Sequence, residues 1–136
     1  MIHFLWENFP YKLIADPAYT DFDFVCKQLA QTYWASTRPR KQIHTAIVNS
    51  IPFNLYHEEE QIGFARVITD KAVFAYLADV IIAPQYRGQG LGKWMLSCIL
   101  THPDLHGCKI LLETLDAHGL YAQVGFEVRE CMKLQL

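Results

Sequence analysis

The stretch "DVIIAPQYRGQGLG", residues 79–92, runs from an apolar segment through an arginine into three glycines at alternate positions. The longer apolar run "AVFAYLADVII", residues 72–82, predicts a central β-strand, and the apolar spacing after the last glycine predicts a helix that ends before Pro103. The glycines are therefore predicted to lie in a strand-to-helix turn. Because the first turn of a helix has free N–H groups and a positive dipole end, glycines there let a phosphate approach the backbone.

Other phosphate-binding motifs do not fit this turn. A P-loop needs a glycine at position 87 and a serine or threonine at position 94, where the chain has Arg87 and Trp94. A dinucleotide-binding fingerprint needs a third glycine where the chain has Lys93 or Met95. The glycines alone leave two interpretations open: a tight turn without a ligand, or an anion-binding turn with Arg87 at its edge.

The composition predicts one domain over residues 1–136, with 51% hydrophobic residues and a net charge of −2. This charge does not provide the basic surface that nucleic-acid binding needs, and no apolar run approaches the ~18 residues of a membrane span. Four widely spaced cysteines without a CxxC pair are typical of reduced thiols, so we expect a soluble cytoplasmic protein. The six histidines include no HxH pair, and we expect no metal site.

Apolar periodicity predicts a mixed α/β sheet with helices on its faces. Strands are predicted around residues 11–14 and within 53–59, 61–69, 72–82, 109–115 and 126–134. Helices are predicted over residues 21–34, from an N-cap at Thr37 to a stop before Pro52, from Gly92 to Pro103, and over residues 117–125. The predicted order along the chain is β-α-α-β-β-β-α-β-α-β.

Residues 80–92, "VIIAPQYRGQGLG", resemble the acetyl-CoA-binding motif of the GNAT (Gcn5-related) N-acetyltransferase family. The family pattern, Arg or Gln-x-x-Gly-x-Gly or Ala, is met from Gln85 and from Arg87, and the neighbouring Pro84 and Tyr86 favour the second register. A further stretch, "LYAQVGFEV", residues 120–128, is similar to the LY-x-x-x-GF element of the family. The resemblance implies a GNAT-like α/β fold, in which a mostly antiparallel central sheet is flanked by helices on both faces.

The resemblance also implies an acetyl-CoA-dependent transfer of an acetyl group to the primary amine of a small molecule. In GNAT proteins the pantetheine arm lies along the central strand and the pyrophosphate lies on the glycine turn. The residues implied for acetyl-CoA are Val80, Ile81 and Ile82 on the strand, with Arg87, Gly88, Gln89, Gly90, Leu91 and Gly92 on the turn. Tyr121 falls at the position of the family's tyrosine acid, where its phenol would protonate the leaving thiolate.

The base that accepts the amine proton has no clear match to the family pattern. Tyr76 occupies one of the usual positions, and Asp79 is the one carboxylate of the central strand. A lone carboxylate in an apolar strand is either a poised base or a structural group held by hydrogen bonds. Asp79 is the predicted base, and the alternatives are Glu113, Asp116, His118 or a water relay.

The region around the predicted second helix indicates where the acceptor binds. Its residues "YWASTRPR" include Tyr33, Trp34, Arg38 and Arg40. Because arginines at a helix start oppose its dipole, they indicate a carboxylate or phosphate on the acceptor. Together with Tyr76, these four residues are the predicted substrate-binding set. A solvated basic edge with Trp34 in the core is the alternative.

Two other functions stay open at this point. A protein of this fold can bind acyl-CoA without catalysis, as a sensor or partner module. The lack of a match for the usual base favours this alternative, whereas the presence of Tyr121 at the position of the acid favours an enzyme. The apolar C-terminal strand "VRECMKLQL", residues 128–136, is also consistent with a subunit that forms a homodimer. That role alone leaves the glycine turn unexplained.

Overall fold

Six β-strands form one sheet in the computed structural model, which describes residues 4–136. The strands are β1 (Leu5–Asn8), β2 (Tyr11–Ile14), β3 (Ile51–His57), β4 (Glu60–Thr69), β5 (Phe74–Ile82) and β6 (Lys109–Leu111). They lie side by side in chain order; β1 to β5 pair antiparallel, and β6 pairs parallel with β5. The mixed, mostly antiparallel sheet that the sequence predicts is therefore confirmed.

Four α-helices cover the two faces of this sheet. They are α1 (Phe22–Leu29), α2 (Arg40–Val48), α3 (Leu91–Ile99) and α4 (His118–Ala122). Asp21 caps α1 by accepting a hydrogen bond from the backbone N–H of Phe24, and α2 begins directly after Pro39. None of the helices in residues 4–136 has the length and apolar character that would carry the chain across a membrane.

The two helical layers enclose two apolar cores. On one face, Met95 and Ile99 of α3 pack against strand residues that include Phe53 and Leu77. On the other face, residues of α1 and α2 pack against strand residues Phe64 and Ile81 (the helix residues are Val25, Cys26, Leu29, Ile43 and Ile47). Helices on both faces of the sheet, as the sequence predicts, are thus confirmed.

A β-bulge interrupts β5 at Asp79. Arg66 of β4 pairs with Ala78, and Phe64 pairs with Ile81, so two residues of β5 lie opposite one residue of β4. Asp79 has a φ of 54°, in the left-handed region that residues other than glycine seldom adopt. The extra residue changes the alternation of side chains along β5: Leu77 belongs to the α3 core, whereas Ile81 belongs to the α1–α2 core.

Several element boundaries differ from the sequence prediction. The first strand, β1, is not predicted, α1 ends at Leu29 rather than near residue 34, and Pro39 rather than Thr37 is the N-cap of α2. The strand predicted over residues 109–115 ends at Leu111. Thr32 explains the early end of α1, since its hydroxyl donates to the Leu29 carbonyl and accepts from the Ala35 N–H, which forms a turn.

The predicted final strand, residues 126–134, is wrong for this chain as it stands alone. Residues 126–136 have no regular secondary structure. Within the described part of the chain, residues 127–136 make no backbone hydrogen bond to another segment. Periodicity indicates that a segment suits a sheet, but a strand also needs a partner, and this one has none here.

Candidate active site

An opening between β5 and β6 is the central feature of the site. The two strands pair only where Phe74–Tyr76 meets Lys109–Leu111. Beyond Tyr76, β5 continues to Ile82, and in residues 4–136 no strand pairs with this edge. The backbone of Val80, Ile81 and Ile82, predicted for the pantetheine arm, therefore lies on an open strand edge next to the bulge.

The glycine turn lies at the end of this open edge. Gly88 and Gly90 have φ values of 76° and 80°, and Gly90 is the N-cap of α3. Within residues 4–136, the backbone N–H groups of residues 88–92 donate no hydrogen bond. A Cβ atom built on Gly88 or Gly90 would meet nothing within 4 Å. The turn therefore presents free N–H groups toward open space, which suits an anion.

Two side chains fix the edges of the turn. The Arg87 Nε donates a 2.9 Å hydrogen bond to the Ile82 carbonyl, so the arginine folds back over the end of β5. The Tyr11 hydroxyl lies 3.5 Å from the Gln89 Oε1.

The first residues of α3 lie against α4. Leu91 is buried as the first residue of α3. Gly92 is already helical, and a Cβ atom built on it would lie 3.8 Å from Leu120. Helix α4 thus packs beside the first turn of α3.

Tyr121, the predicted acid, lies on α4 next to Leu120. Its ring packs against the α3 core and meets the Phe126 ring at 5.9 Å between centroids. Burial, with smaller contributions from Tyr33 and Asp116, raises the pKa of Tyr121 to about 12. The phenol therefore keeps its proton at physiological pH, as a proton donor must.

Asp79, the predicted base, is the centre of a buried hydrogen-bonded network. Its Oδ1 accepts from the Trp34 Nε1 at 2.9 Å, and its Oδ2 accepts from Arg38 at 2.9 Å and from the Arg66 Nε at 2.7 Å. Arg66 also donates to the Ser50 hydroxyl at 3.1 Å. Only 4% of the Asp79 side chain is exposed.

This network does not suit Asp79 as a base. Burial acts to raise the pKa of Asp79, but the hydrogen bond and charge of Arg66, together with Arg38, outweigh it and hold the pKa below its ordinary value. Both carboxylate oxygens are also occupied by donors. A carboxylate with these properties is a poor proton acceptor, so the geometry favours the structural alternative for Asp79.

The two arginines predicted to hold an anionic acceptor bind separate carboxylates of the chain itself. Arg38 is paired with Asp79, and Arg40 forms an exposed 2.6 Å salt bridge with Asp23. The Arg40 guanidinium also lies 4.9 Å from the centre of the Phe22 ring. Arg38 and Arg40 therefore do not form one anion pocket in this structure.

The remaining predicted substrate residues, Tyr33 and Tyr76, both contact the segment that follows β6. The Tyr76 hydroxyl donates to the Glu113 Oε1 at 3.2 Å, and the Tyr33 hydroxyl accepts from the Leu115 N–H at 3.1 Å. Burial, followed by the charge of Glu113, raises the pKa of Tyr76 to about 12. Glu113 is about half exposed, and the Lys133 ammonium lies 3.9 Å from its other oxygen.

The sequence analysis missed Arg66, although a signal for it exists. Arg66 lies in the apolar run "QIGFARVIT", and its side chain is 11% exposed. Because an arginine is almost never buried without a partner, its presence in that strand predicts a nearby acid. Asp79 on the adjacent strand is the acid that this rule would have identified.

Among residues 4–136, no group of three or more histidine, cysteine, aspartate and glutamate side chains could hold a metal ion. All four cysteines are unpaired, and Cys26 and Cys98 are buried. The cytoplasmic location and the expected lack of nucleic-acid and membrane partners stay predictions from composition.

Comparison with known proteins identifies a family to which this chain is similar. The family profile described as "Acetyltransferase (GNAT) domain" matches residues 49–128. A Gibberella zeae protein named as an acetyltransferase is 32% identical over 142 residues, which cover 87% of this chain and 79% of that protein. A GNAT-family crystal structure from Xanthomonas campestris pv. campestris is 36% identical with a TM-score of 0.88, and 93% of each chain is covered.

A third relative has a more specific name. The spermine/spermidine N(1)-acetyltransferase of Bacillus subtilis strain 168 is 32% identical over 89 residues. The match covers 56% of this chain and 59% of that protein. It therefore relates part of this chain to an enzyme whose name specifies a polyamine acceptor.

Proposed function

Because this chain belongs to the GNAT acetyltransferase family, we propose that it transfers the acetyl group of acetyl-CoA to the primary amine of a small molecule. That the protein is an enzyme follows from the relatives, which are named as acetyltransferases. The sensor or partner module thus loses its support. The observation that carries the proposal is the opening between β5 and β6, which leads along a free strand edge to the glycine turn.

The donor side of the opening is formed by backbone groups. The free edge of β5 at residues 80–82 can pair with the amides of a pantetheine arm, as an added strand would. The unpaired N–H groups of residues 88–92, at the positive end of α3, can hold the pyrophosphate. When bound there, acetyl-CoA supplies a reactive thioester.

Tyr121 supplies the proton in this proposal. A phenol with a pKa near 12 is protonated before the reaction, and a thiolate that leaves beside it gains a proton donor. Its position on α4, which packs beside the first turn of α3, brings it to the donor side of the opening. The acid role of Tyr121 stays a prediction until the rate of a Phe variant is measured.

On the acceptor side, Glu113 fits the amine better than Asp79 does. Glu113 is partly exposed at the end of β6, and Tyr76, on the edge strand of the opening, holds one of its oxygens. The Lys133 ammonium lies 3.9 Å from its second oxygen, which supports a position for a primary amine here. A carboxylate there can accept the proton that an ammonium must lose before it attacks.

This assignment changes the expected acceptor. The sequence analysis favours an amine with an anionic group, but Arg38 and Arg40 are both paired within the chain. A carboxylate at the acceptor side instead favours an amine with further positive charge. The name of the Bacillus subtilis relative gives the same chemical class, so polyamines are the first candidates.

The test follows free thiol while acetyl-CoA is mixed with spermidine, an uncharged amine of similar size, an amino acid and a phosphorylated amine. We expect thiol release with spermidine to exceed release with the anionic amines. Glu113→Gln should raise the KM for spermidine by about tenfold and also lower kcat, with acetyl-CoA affinity unchanged. Faster turnover of the anionic amines would overturn the acceptor assignment. Calorimetric binding of acetyl-CoA without turnover of any amine would overturn the proposed function.

A further inference from the structure

Lys133 is a residue of the chain itself whose amine lies at the position assigned to the acceptor. Its ammonium is 3.9 Å from one Glu113 oxygen, and the other Glu113 oxygen accepts from the Tyr76 hydroxyl at 3.2 Å. Tyr76 pairs with Leu111 at the last point where β5 meets β6, so Glu113 follows β6 where the opening begins. A primary amine of the same chain is therefore held beside the carboxylate of the acceptor side.

The C-terminal segment, residues 126–136, brings a second side chain to the same place. Burial and then Glu113 raise the pKa of Tyr76 to about 12, and Cys131 adds a smaller contribution, so its thiol lies near the Tyr76 hydroxyl. The segment starts at Phe126, whose ring packs against the α3 core. The segment thus runs from this core to the opening, where it places Cys131 and Lys133.

Lys133 can leave its carboxylate partner at little cost. Within the described part of the chain, residues 127–136 make no backbone hydrogen bond to another segment. The Lys133 side chain is 67% exposed, and its ammonium is carried on a flexible four-carbon stem. An exposed ion pair of this kind contributes only about 0–1 kcal/mol. The amine can therefore move from Glu113 toward a thioester in the same opening.

The acid assigned to the reaction lies near the same segment. The Tyr33 hydroxyl accepts a hydrogen bond from the Leu115 N–H, two residues after Glu113. Burial raises the pKa of Tyr121, and Tyr33 adds to the shift, so the two phenols lie close to each other. The proton donor and the proton acceptor therefore both border the opening in which Lys133 lies.

We propose that the protein acetylates its own Lys133 with acetyl-CoA as the donor, an inference that rests on the proposed function because it uses the same opening. The Lys133 ammonium gives a proton to Glu113, and its nitrogen attacks the thioester carbonyl carbon. A C–N bond forms, the C–S bond breaks, and the leaving thiolate takes the proton of the Tyr121 phenol. The second proton of the nitrogen restores the phenol, and Glu113 releases the first proton to water.

The product changes the acceptor side of the opening. Acetyl-lysine carries no charge, so Glu113 loses its partner within the chain and becomes available to an added amine. Before acetylation, an amine tethered beside Glu113 has an effective concentration in the millimolar range. An added polyamine therefore competes with Lys133 until Lys133 is acetylated.

The first experiment incubates the protein with acetyl-CoA and no added amine, and peptide mass spectrometry then locates the acetylated lysines. Lys71, in the turn before β5, is the internal control, because its ammonium also lies 3.9 Å from a carboxylate, that of Asp104, and its side chain is 63% exposed. We expect Lys133 to be acetylated about tenfold faster than Lys71. Glu113→Gln should remove this preference, and the matched variant Asp104→Asn should keep it. Equal rates at the two lysines, or a preference that persists in folded Glu113→Gln, would overturn the proposal.

A mixture of two variants distinguishes transfer within one chain from transfer between copies. Glu113→Gln keeps Lys133 but lacks the proton acceptor, whereas Lys133→Arg keeps the acceptor but lacks the lysine. We expect Lys133 of the Glu113→Gln chain to be acetylated no faster in the mixture than alone. Faster acetylation in the mixture would overturn transfer within one chain.

Thiol release with spermidine, measured on the same unmodified protein, separates this inference from the proposed function. Turnover of spermidine without acetylation of Lys133 would overturn the inference alone, and no reaction with either amine would overturn both. Acetylation of Lys133 without turnover of spermidine would support the inference and overturn only the polyamine assignment. Where both react, added spermidine should slow the acetylation of Lys133, because both amines need Glu113. A rate at Lys133 that saturating spermidine leaves unchanged would contradict a shared site.

Discussion

The backbone groups of the donor side of the opening come from one continuous stretch, residues 80–92, whereas the acceptor side joins side chains from distant parts of the chain. The donor side offers backbone: a free edge of β5 and the N–H groups of the glycine turn. The acceptor side depends on pairs such as Tyr33 with Leu115, which are 82 residues apart. A site made of local backbone is determined by a short motif, but a site made of side-chain pairs depends on the whole fold.

Replacing Tyr121 by Phe is expected to have the largest effect, because it removes the proton donor and keeps the ring that packs against the core. We expect kcat to fall by about 10²- to 10⁴-fold with acetyl-CoA affinity nearly unchanged. Thiol release and calorimetry measure the two quantities. Tyr19→Phe, at an exposed tyrosine of the loop after β2, is the control and should leave kcat unchanged. A kcat for Tyr121→Phe within about twofold of the unmodified enzyme would assign the proton to another group.

Asp79→Asn tests whether the carboxylate at the bulge of β5 is structural. Asparagine tolerates the left-handed backbone and can still accept from Trp34, but it leaves Arg66 and Arg38 without their anion. We expect the free energy of unfolding to fall by about 3 kcal/mol, measured by urea denaturation. Asp23→Asn, at the exposed partner of Arg40, should have no measurable effect. Unchanged stability with lost activity would return the base role to Asp79.

The pH dependence of stability sharpens the same comparison. In the folded protein the pKa of Asp79 is held below its ordinary value. A group of this kind stabilises the fold above its unfolded pKa, and the stabilisation is lost as the pH falls through the folded pKa. The difference in unfolding free energy between the unmodified protein and Asp79→Asn should therefore be full at neutral pH and shrink toward acid. A difference that grows on acidification would contradict this account.

Local patterns were sufficient to predict the strand, the glycine turn and the helix to which the donor role is assigned. The apolar run of β5, the glycine turn and the helix after it lie within one stretch, and their spacing is visible in the sequence. The bulge at Asp79 has no such signal, because it is defined by the register between β4 and β5. Asp79 itself stood out as a lone carboxylate, but its partners Trp34, Arg38 and Arg66 are 45, 41 and 13 residues away.

The C-terminal segment, residues 126–136, differs from the glycine turn: its local pattern is strong, but the predicted strand is absent. Its alternation of apolar and polar residues favours a strand, and the single chain leaves it unpaired. Pairing requires a second strand in register, which periodicity cannot specify. The wrongly predicted strand and the unpredicted network of Asp79 therefore have the same explanation: each depends on a partner that the local sequence does not specify.

Variants of two glycines in the turn distinguish an effect on backbone stability from an effect on acetyl-CoA binding. Gly92 is helical, so Gly92→Ala should raise stability by about 0.5–1 kcal/mol. Because the family pattern accepts alanine at this position, the same variant should keep its affinity for acetyl-CoA. Gly90 has a φ of 80°, so Gly90→Ala should lower stability by about 1–2 kcal/mol as well as affinity. Thermal unfolding and calorimetry measure both. Full affinity in folded Gly90→Ala would place the cofactor elsewhere.

The smallest effect is expected for Arg40→Gln, which tests the sequence prediction that Arg38 and Arg40 bind an anionic acceptor. Arg40 is exposed and its carboxylate partner Asp23 is also exposed, so the variant should match the unmodified protein in stability. Arg38→Gln should lower the free energy of unfolding by about 1–2 kcal/mol, because Asp79 loses one of its two cationic partners and keeps Arg66. Neither variant should change the ratio of KM values for a phosphorylated amine and for spermidine. If the two arginines did hold an anionic acceptor, each variant would raise the KM of the phosphorylated amine alone by about tenfold. Steady-state kinetics with the two amines therefore decides whether the two arginines or Glu113 determine which amine is the preferred acceptor.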